Sequence, residues 1–156
     1  MHYTAAGGWQ NETLPPEPSG GRWGLFRGID IKGSTGWIVG PQGTGTSHYF
    51  WQFDGTDWHS VAAPSVNAAD VSVVDANEAW AVATGLGQEA WLAHYWGGTW
   101  SVVTATVNVP AGGRASLLGI HMLTATEGWA VGNIQLGTSG YYSCLLLYPG
   151  FRTLSA

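Results

Sequence analysis

A Trp-x-Val phrase is written three times along this chain: "GWIVG" at 36–40, "AWAVA" at 79–83 and "GWAVG" at 128–132. Its tryptophans, Trp37, Trp80 and Trp129, are 43 and 49 residues apart. A catalytic loop is needed once. A phrase that returns at nearly even intervals specifies an architectural unit, and it confines the chain to folds built from stacked copies of that unit.

Each phrase alternates as a strand does: Trp37 and Val39 point to one face and Ile38 to the other. A second alternating run precedes each phrase: "LFRGIDI" at 25–31, "DVSVVD" at 70–75 and "LLGIHML" at 117–123. The links are short and turn-like, so each pair is a β-hairpin. A further pair follows, in "FWQFDGTDWHSVAAP" at 50–64, "WLAHYWGGTWSVVTA" at 91–105 and the decayed "CLLLYPGFRTLSA" at 144–156. Gly55, Gly97, Gly98 and Gly150 are placed to supply the positive φ of hairpin turns. No 3.6-residue period persists, which argues against helices. Four antiparallel strands in about 40–50 residues is the pattern of a β-propeller blade. The fold class expected is all-β, with units over about 23–64, 68–105 and 115–156. "HYTAAGGWQNETLPP" matches the second hairpin alone and reads as a leading half-blade within 1–16. "PPEPSGG" at 15–21 reads as an inter-blade loop within one domain, 1–156.

The succession of Trp-Ala-Val-Gly, an aromatic-ended strand and Gly-Gly-x-Trp resembles bacterial β-propeller repeats of the kelch-like, Asp-box and photosystem-assembly-factor-like kinds. The resemblance runs from about residue 2 to 154 and implies a fold rather than a function. An Asp box spaces Asp and Trp by five steps, whereas Asp54 and Trp58 are four apart. Its calcium and sugar chemistry is therefore not carried over.

Three and a half units do not close a ring. The half-blade and the weak final unit suggest closure by a second copy, as a homodimer of about six blades. A fragment of a longer propeller and a compact barrel are the alternatives.

Charged residues are only 10% of the chain and net charge is −5. The cations Arg22, Arg27, Lys32, Arg114 and Arg152 form no cluster, so a nucleic-acid track and a polybasic membrane anchor are unsupported. No apolar run approaches a spanning helix, and no signal peptide is visible at the N-terminus. Cys144 is the single cysteine and lies in an apolar run.

Histidine pairs at His2–Tyr3, His48–Tyr49 and His94–Tyr95 recur, but the middle pair falls out of register: Tyr49 lies nine residues before Trp58, whereas Tyr3 and Tyr95 lie six and five before Trp9 and Trp100. His59 and His121 have no metal-ligand partner at the usual spacing, so no metal or cofactor is expected. Asp54, Asp57, Asp70, Asp75, Glu78 and Glu127 lie near turns, where acids bond local backbone. A glycosidase would need two of them across a cleft, and no catalytic residue is assigned. Trp9, Trp37, Trp58, Trp80, Trp100 and Trp129 occupy two repeat positions and read as structural core. Trp23, Trp51, Trp91 and Trp96 lie outside those positions. Of these, Trp51, Trp91 and Trp96 are the candidate ligand-binding surfaces, because a half-exposed indole stacks on a sugar or anchors a protein. The expected function is a non-catalytic interaction scaffold with a protein partner. A carbohydrate-binding, lectin-like propeller is the alternative, and a glycoside hydrolase a weaker one.

Overall fold

The computed structural model of the chain describes residues 1–11, 25–41, 49–84, 90–104, 109–136, 140–148 and 152–154. All regular structure in them is β-strand. A hairpin of β1 (His2–Thr4) and β2 (Gly8–Gln10) comes first. Sheet I contains β3 (Gly28–Lys32), β4 (Thr35–Val39), β5 (Tyr49–Phe53) and β6 (Trp58–Ala62). Sheet II contains β7 (Asn67–Asp75), β8 (Glu78–Thr84), β9 (Ala90–Trp96) and β10 (Thr99–Thr104). Sheet III contains β11 (Gly113–Thr124), β12 (Glu127–Leu136), β13 (Gly140–Tyr148) and β14 (Arg152–Leu154). Each is a four-stranded antiparallel meander whose strand order follows the sequence. The expected units, about 23–64, 68–105 and 115–156, stand beside sheets that span 28–62, 67–104 and 113–154.

The turns follow from the glycines. Gly55, Gly97 and Gly98 take φ of 102°, 60° and 86°, a region closed to most side chains. Gly150, Trp23 and the "PPEPSGG" segment lie outside the described residues.

Register makes the repeat concrete. Asp30 pairs with Trp37, Ser72 with Trp80, and His121 with Trp129. These three pairs are therefore equivalent positions. Sheets II and III carry one residue more than sheet I between the members of the pair. Register shifts at Val73/Asp75 and Met122/Thr124 absorb it as bulges at Val74 and Leu123, which twist the strand locally.

Alternation gives every sheet two apolar faces. The front face is the one turned toward the next sheet in the chain, and the back face is the one turned toward the sheet before. Trp37, Val39 and Phe50 on the front of sheet I join Val71, Val73, Tyr95 and Trp100 on the back of sheet II in one core. The Trp37 ring lies 4.5 Å from that of Tyr95 and meets Trp100 edge-on at 4.9 Å. Trp80, Val82 and Leu92 on the front of sheet II pack in the same way on Ala115, Leu117, Ile120 and Met122 of sheet III. Ile38, as its alternation requires, turns to the opposite face from Trp37 and clusters with Trp51 and Trp58. Gly28 is needed where sheets I and II meet, because a Cβ there would stand 2.6 Å from the Asp70 Cα.

Two of the six expected core tryptophans depart from expectation. Trp37, Trp58, Trp80 and Trp100 are buried, but Trp9 and Trp129 are exposed. Trp129 is 37% exposed although it holds the same repeat position as Trp37 and Trp80. Burial at that position comes from the next sheet's back face, and none of the described residues lies beyond sheet III. Trp9 touches Tyr3 within its own hairpin, at 5.5 Å between rings, and no third described strand joins β1 and β2.

Candidate functional site

The joints between sheets are where the repeat does its most specific work. The first strand of each sheet has a free edge, whose amides need acceptors. On β7, the Val73 N–H donates to Asp30 Oδ2 of sheet I at 2.7 Å. On β11, the Met122 N–H donates to Ser72 Oγ of sheet II at 3.0 Å. Asp30 and Ser72 are equivalent positions, and Val73 and Met122 each follow one. The rule is thus the same at both joints: a side chain on the first strand of one sheet accepts the amide one step further along the first strand of the next sheet. A second bond reinforces the later joint, from the Ile120 N–H to Asp70 Oδ2 at 3.0 Å.

Sheet II carries a polar cluster at its turn end. Glu78 begins β8 two residues before Trp80, so both side chains fall on one face of the strand. His94 pairs with Trp80 across the ladder. Glu78 Oε1 accepts the Trp80 indole N–H at 3.1 Å and lies 3.0 Å from His94 Nε2. The His94 ring stacks on Trp80 at 3.8 Å between centroids and is followed by Trp96, nearly parallel at 6.3 Å. The result is an aromatic stack that starts in the core and ends at Trp96, which is 61% exposed.

Of the three candidate ligand surfaces, Trp96 alone is fully open. Trp51 is buried against Ile38 and Trp58, and Trp91 is half-buried against the core between sheets I and II. Trp51 is therefore not a stacking platform. β5 has an apolar side chain on each of its faces, so a residue outside the two tryptophan positions is still interior.

No family model, no curated protein and no solved structure matches this chain.

The acids divide into two kinds. Asp54 and Asp75 serve their turns as expected: Asp54 Oδ1 accepts the amides of Thr56 and Asp57, each at 2.9 Å, and Asp75 Oδ1 accepts that of Asn77 at 2.7 Å. Asp54 also meets His59 Nε2 at 2.7 Å. The amides of Asp57 and Thr56, then His59, hold the Asp54 carboxyl down at about 2. His59 thus has a carboxylate partner that its spacing did not suggest. Asp70 and Glu78 are not turn residues: one bridges two sheets and the other is buried. Among the described residues no group of three or more acidic, histidine or cysteine side chains is arranged to hold a metal. Cys144 lies on β13, and its side chain is outside the described residues.

Proposed function

We propose that this chain is a non-catalytic β-propeller interaction module, a protein scaffold whose three sheets are blades and whose ring is completed by a second copy. The observation that carries the reading is the repeated joint, with one side-chain-to-amide bond placed at the same repeat position in both. Meander sheets laid down in chain order, inner strand first, are the arrangement a blade requires. The acids support a non-catalytic role. Asp30 and Asp70 are engaged with amides of neighbouring sheets, Asp54 with its own turn, and Glu78 with Trp80 and His94. The test is solution mass by light scattering across a wide concentration range. A species of twice the 16.5 kDa of one chain is expected, and a monodisperse single chain throughout refutes completion by a second copy.

A carbohydrate-binding role is the second reading, favoured by the open Trp96 ring backed by His94 and Trp80. A flat indole held from behind stacks on a sugar face at little entropic cost. Glycan-array binding that disappears in Trp96→Ala at unchanged stability is the expected result; binding that survives refutes this site.

A further inference from the structure

The two outer faces of the three-sheet stack expose equivalents of some residues that the two internal joints bury, while Ile38, Trp51 and Trp58 on the back of sheet I are already covered. On the front of sheet II, Ala69, Val74, Trp80 and Val82 all belong to the core shared with sheet III. Their equivalents on sheet III are Leu118, Leu123, Trp129 and Val131, and all four are exposed, Val131 by 47%. On the back faces, Val71 and Val73 of sheet II are buried, as are Ile120 and Met122 of sheet III. Their equivalents on sheet I, Ile29 and Ile31, are 59% and 49% exposed. An apolar set of this kind on each outer face marks an interaction surface.

The polar element of the joint is duplicated in the same way. His121 holds the position of Asp30 and Ser72, at the end of the series, and is exposed. Ile31 holds the position of Val73 and Met122, so its amide faces the free edge of β3. A neutral imidazole has one acceptor nitrogen, which suits it to the part that the Asp30 carboxyl and the Ser72 hydroxyl play.

We propose that the front face of sheet III docks head-to-tail on the back face of sheet I of a second copy, with Trp129 and Val131 against Ile29 and Ile31, and with His121 accepting the Ile31 amide. The inference rests on the self-assembly reading above and adds to it which faces meet and in what register. The occupant is a second copy because Trp80 and Val82 already share one core with Ile120 and Met122 between sheets II and III, and Trp129, Val131, Ile29 and Ile31 are the exposed equivalents of those four. A contact of this kind uses two different surfaces. It closes only if two copies complete the rotation, and otherwise it grows into an open chain.

Ile31→Arg and Val131→Arg place a charge on one face each, at exposed positions that folding of the single chain tolerates. Far-UV circular dichroism and the urea midpoint of each variant check that tolerance. Each variant alone is expected to run as a single chain where the parent is a dimer. Mixed one to one, they are expected to recover a dimer, because the mixed pair keeps one unaltered joint. His121→Ala is expected to weaken the dimer by on the order of tenfold, the effect of losing a hydrogen bond at each joint.

If Val131→Arg dissociates the dimer and Ile31→Arg does not, two front faces meet each other and the inference is overturned; the reverse pattern overturns it likewise. If neither variant changes the mass of a dimeric parent, the copies associate elsewhere, and self-assembly survives without this joint. A parent that stays a single chain at every concentration overturns both. An open polymer with the expected mutational pattern upholds the joint and refutes the two-copy ring.

Discussion

Replacing tryptophan with phenylalanine at two equivalent positions should give unequal results, because the indole nitrogens of Trp37 and Trp80 differ in their surroundings. The change removes a similar apolar area at each, about 1 kcal/mol at roughly 25 cal/mol per Å². Trp37 Nε1 is buried with no hydrogen-bond partner among the described residues. Phenylalanine removes that stranded donor, whose burial costs about 1–3 kcal/mol. Trp37→Phe should therefore fall between nearly neutral and slightly stabilising. Trp80 Nε1 donates to Glu78 Oε1, in a side chain that is only 7% exposed. Trp80→Phe leaves that buried acceptor with fewer donors, a further loss of about 1–3 kcal/mol. His94 still reaches the same oxygen, which sets the loss toward the lower end. The two variants should differ by about 2–4 kcal/mol, with Trp80→Phe the weaker. Urea unfolding with equal slopes reads this as midpoints separated by about 1 M or more. Equal losses in the two variants would refute the assignment of a stranded donor at Trp37.

Three further outcomes are expected. Gly28→Ala should weaken the sheet I–II joint, since its new Cβ meets the Asp70 backbone and not a movable side chain; a urea midpoint equal to the parent's contradicts that close approach. Asp30→Ala and Ser72→Ala should each destabilise by about 1–3 kcal/mol by stranding the Val73 and Met122 amides, and hydrogen exchange at those two amides should speed up more than at their neighbours. Asp54 should titrate near pH 2 in a carboxyl NMR experiment. Its folded value lies below its unfolded one, so its contribution to stability is complete above the ordinary carboxylate range and is lost as pH falls toward 2; His59→Ala should raise the midpoint.

The strands were legible because their signal is local. Alternation in "GWIVG" and glycine at Gly55, Gly97 and Gly98 depend on neighbours in sequence, and both set the observed strands and turns. The joints were not legible, because their partners lie 43 and 50 residues apart. Asp70, at the head of an alternating run, looked like a turn acid; only the presence of sheet III at its side makes it an acceptor for Ile120. Trp51 was misjudged for a related reason. Its place outside the two repeated tryptophan positions suggested a surface, and burial was decided by Ile38 and Trp58. Glu78 did leave a trace, since a carboxyl two residues before a tryptophan shares its face of the strand. The unequal fates of Trp80 and Trp129 left none, because the residues around them are nearly the same.

The meander order of the sheets has a kinetic consequence. Every ladder in sheets I, II and III joins strands adjacent in sequence, so each sheet can form from its own contiguous stretch before any long loop closes. Distant ends meet only when finished sheets dock. Among all-β chains, that places this one toward the fast side of the relation between topology and folding rate. It also makes the links between sheets, not those within them, the natural places to open the chain: a circular permutant with new termini between β6 and β7 keeps every strand pairing intact.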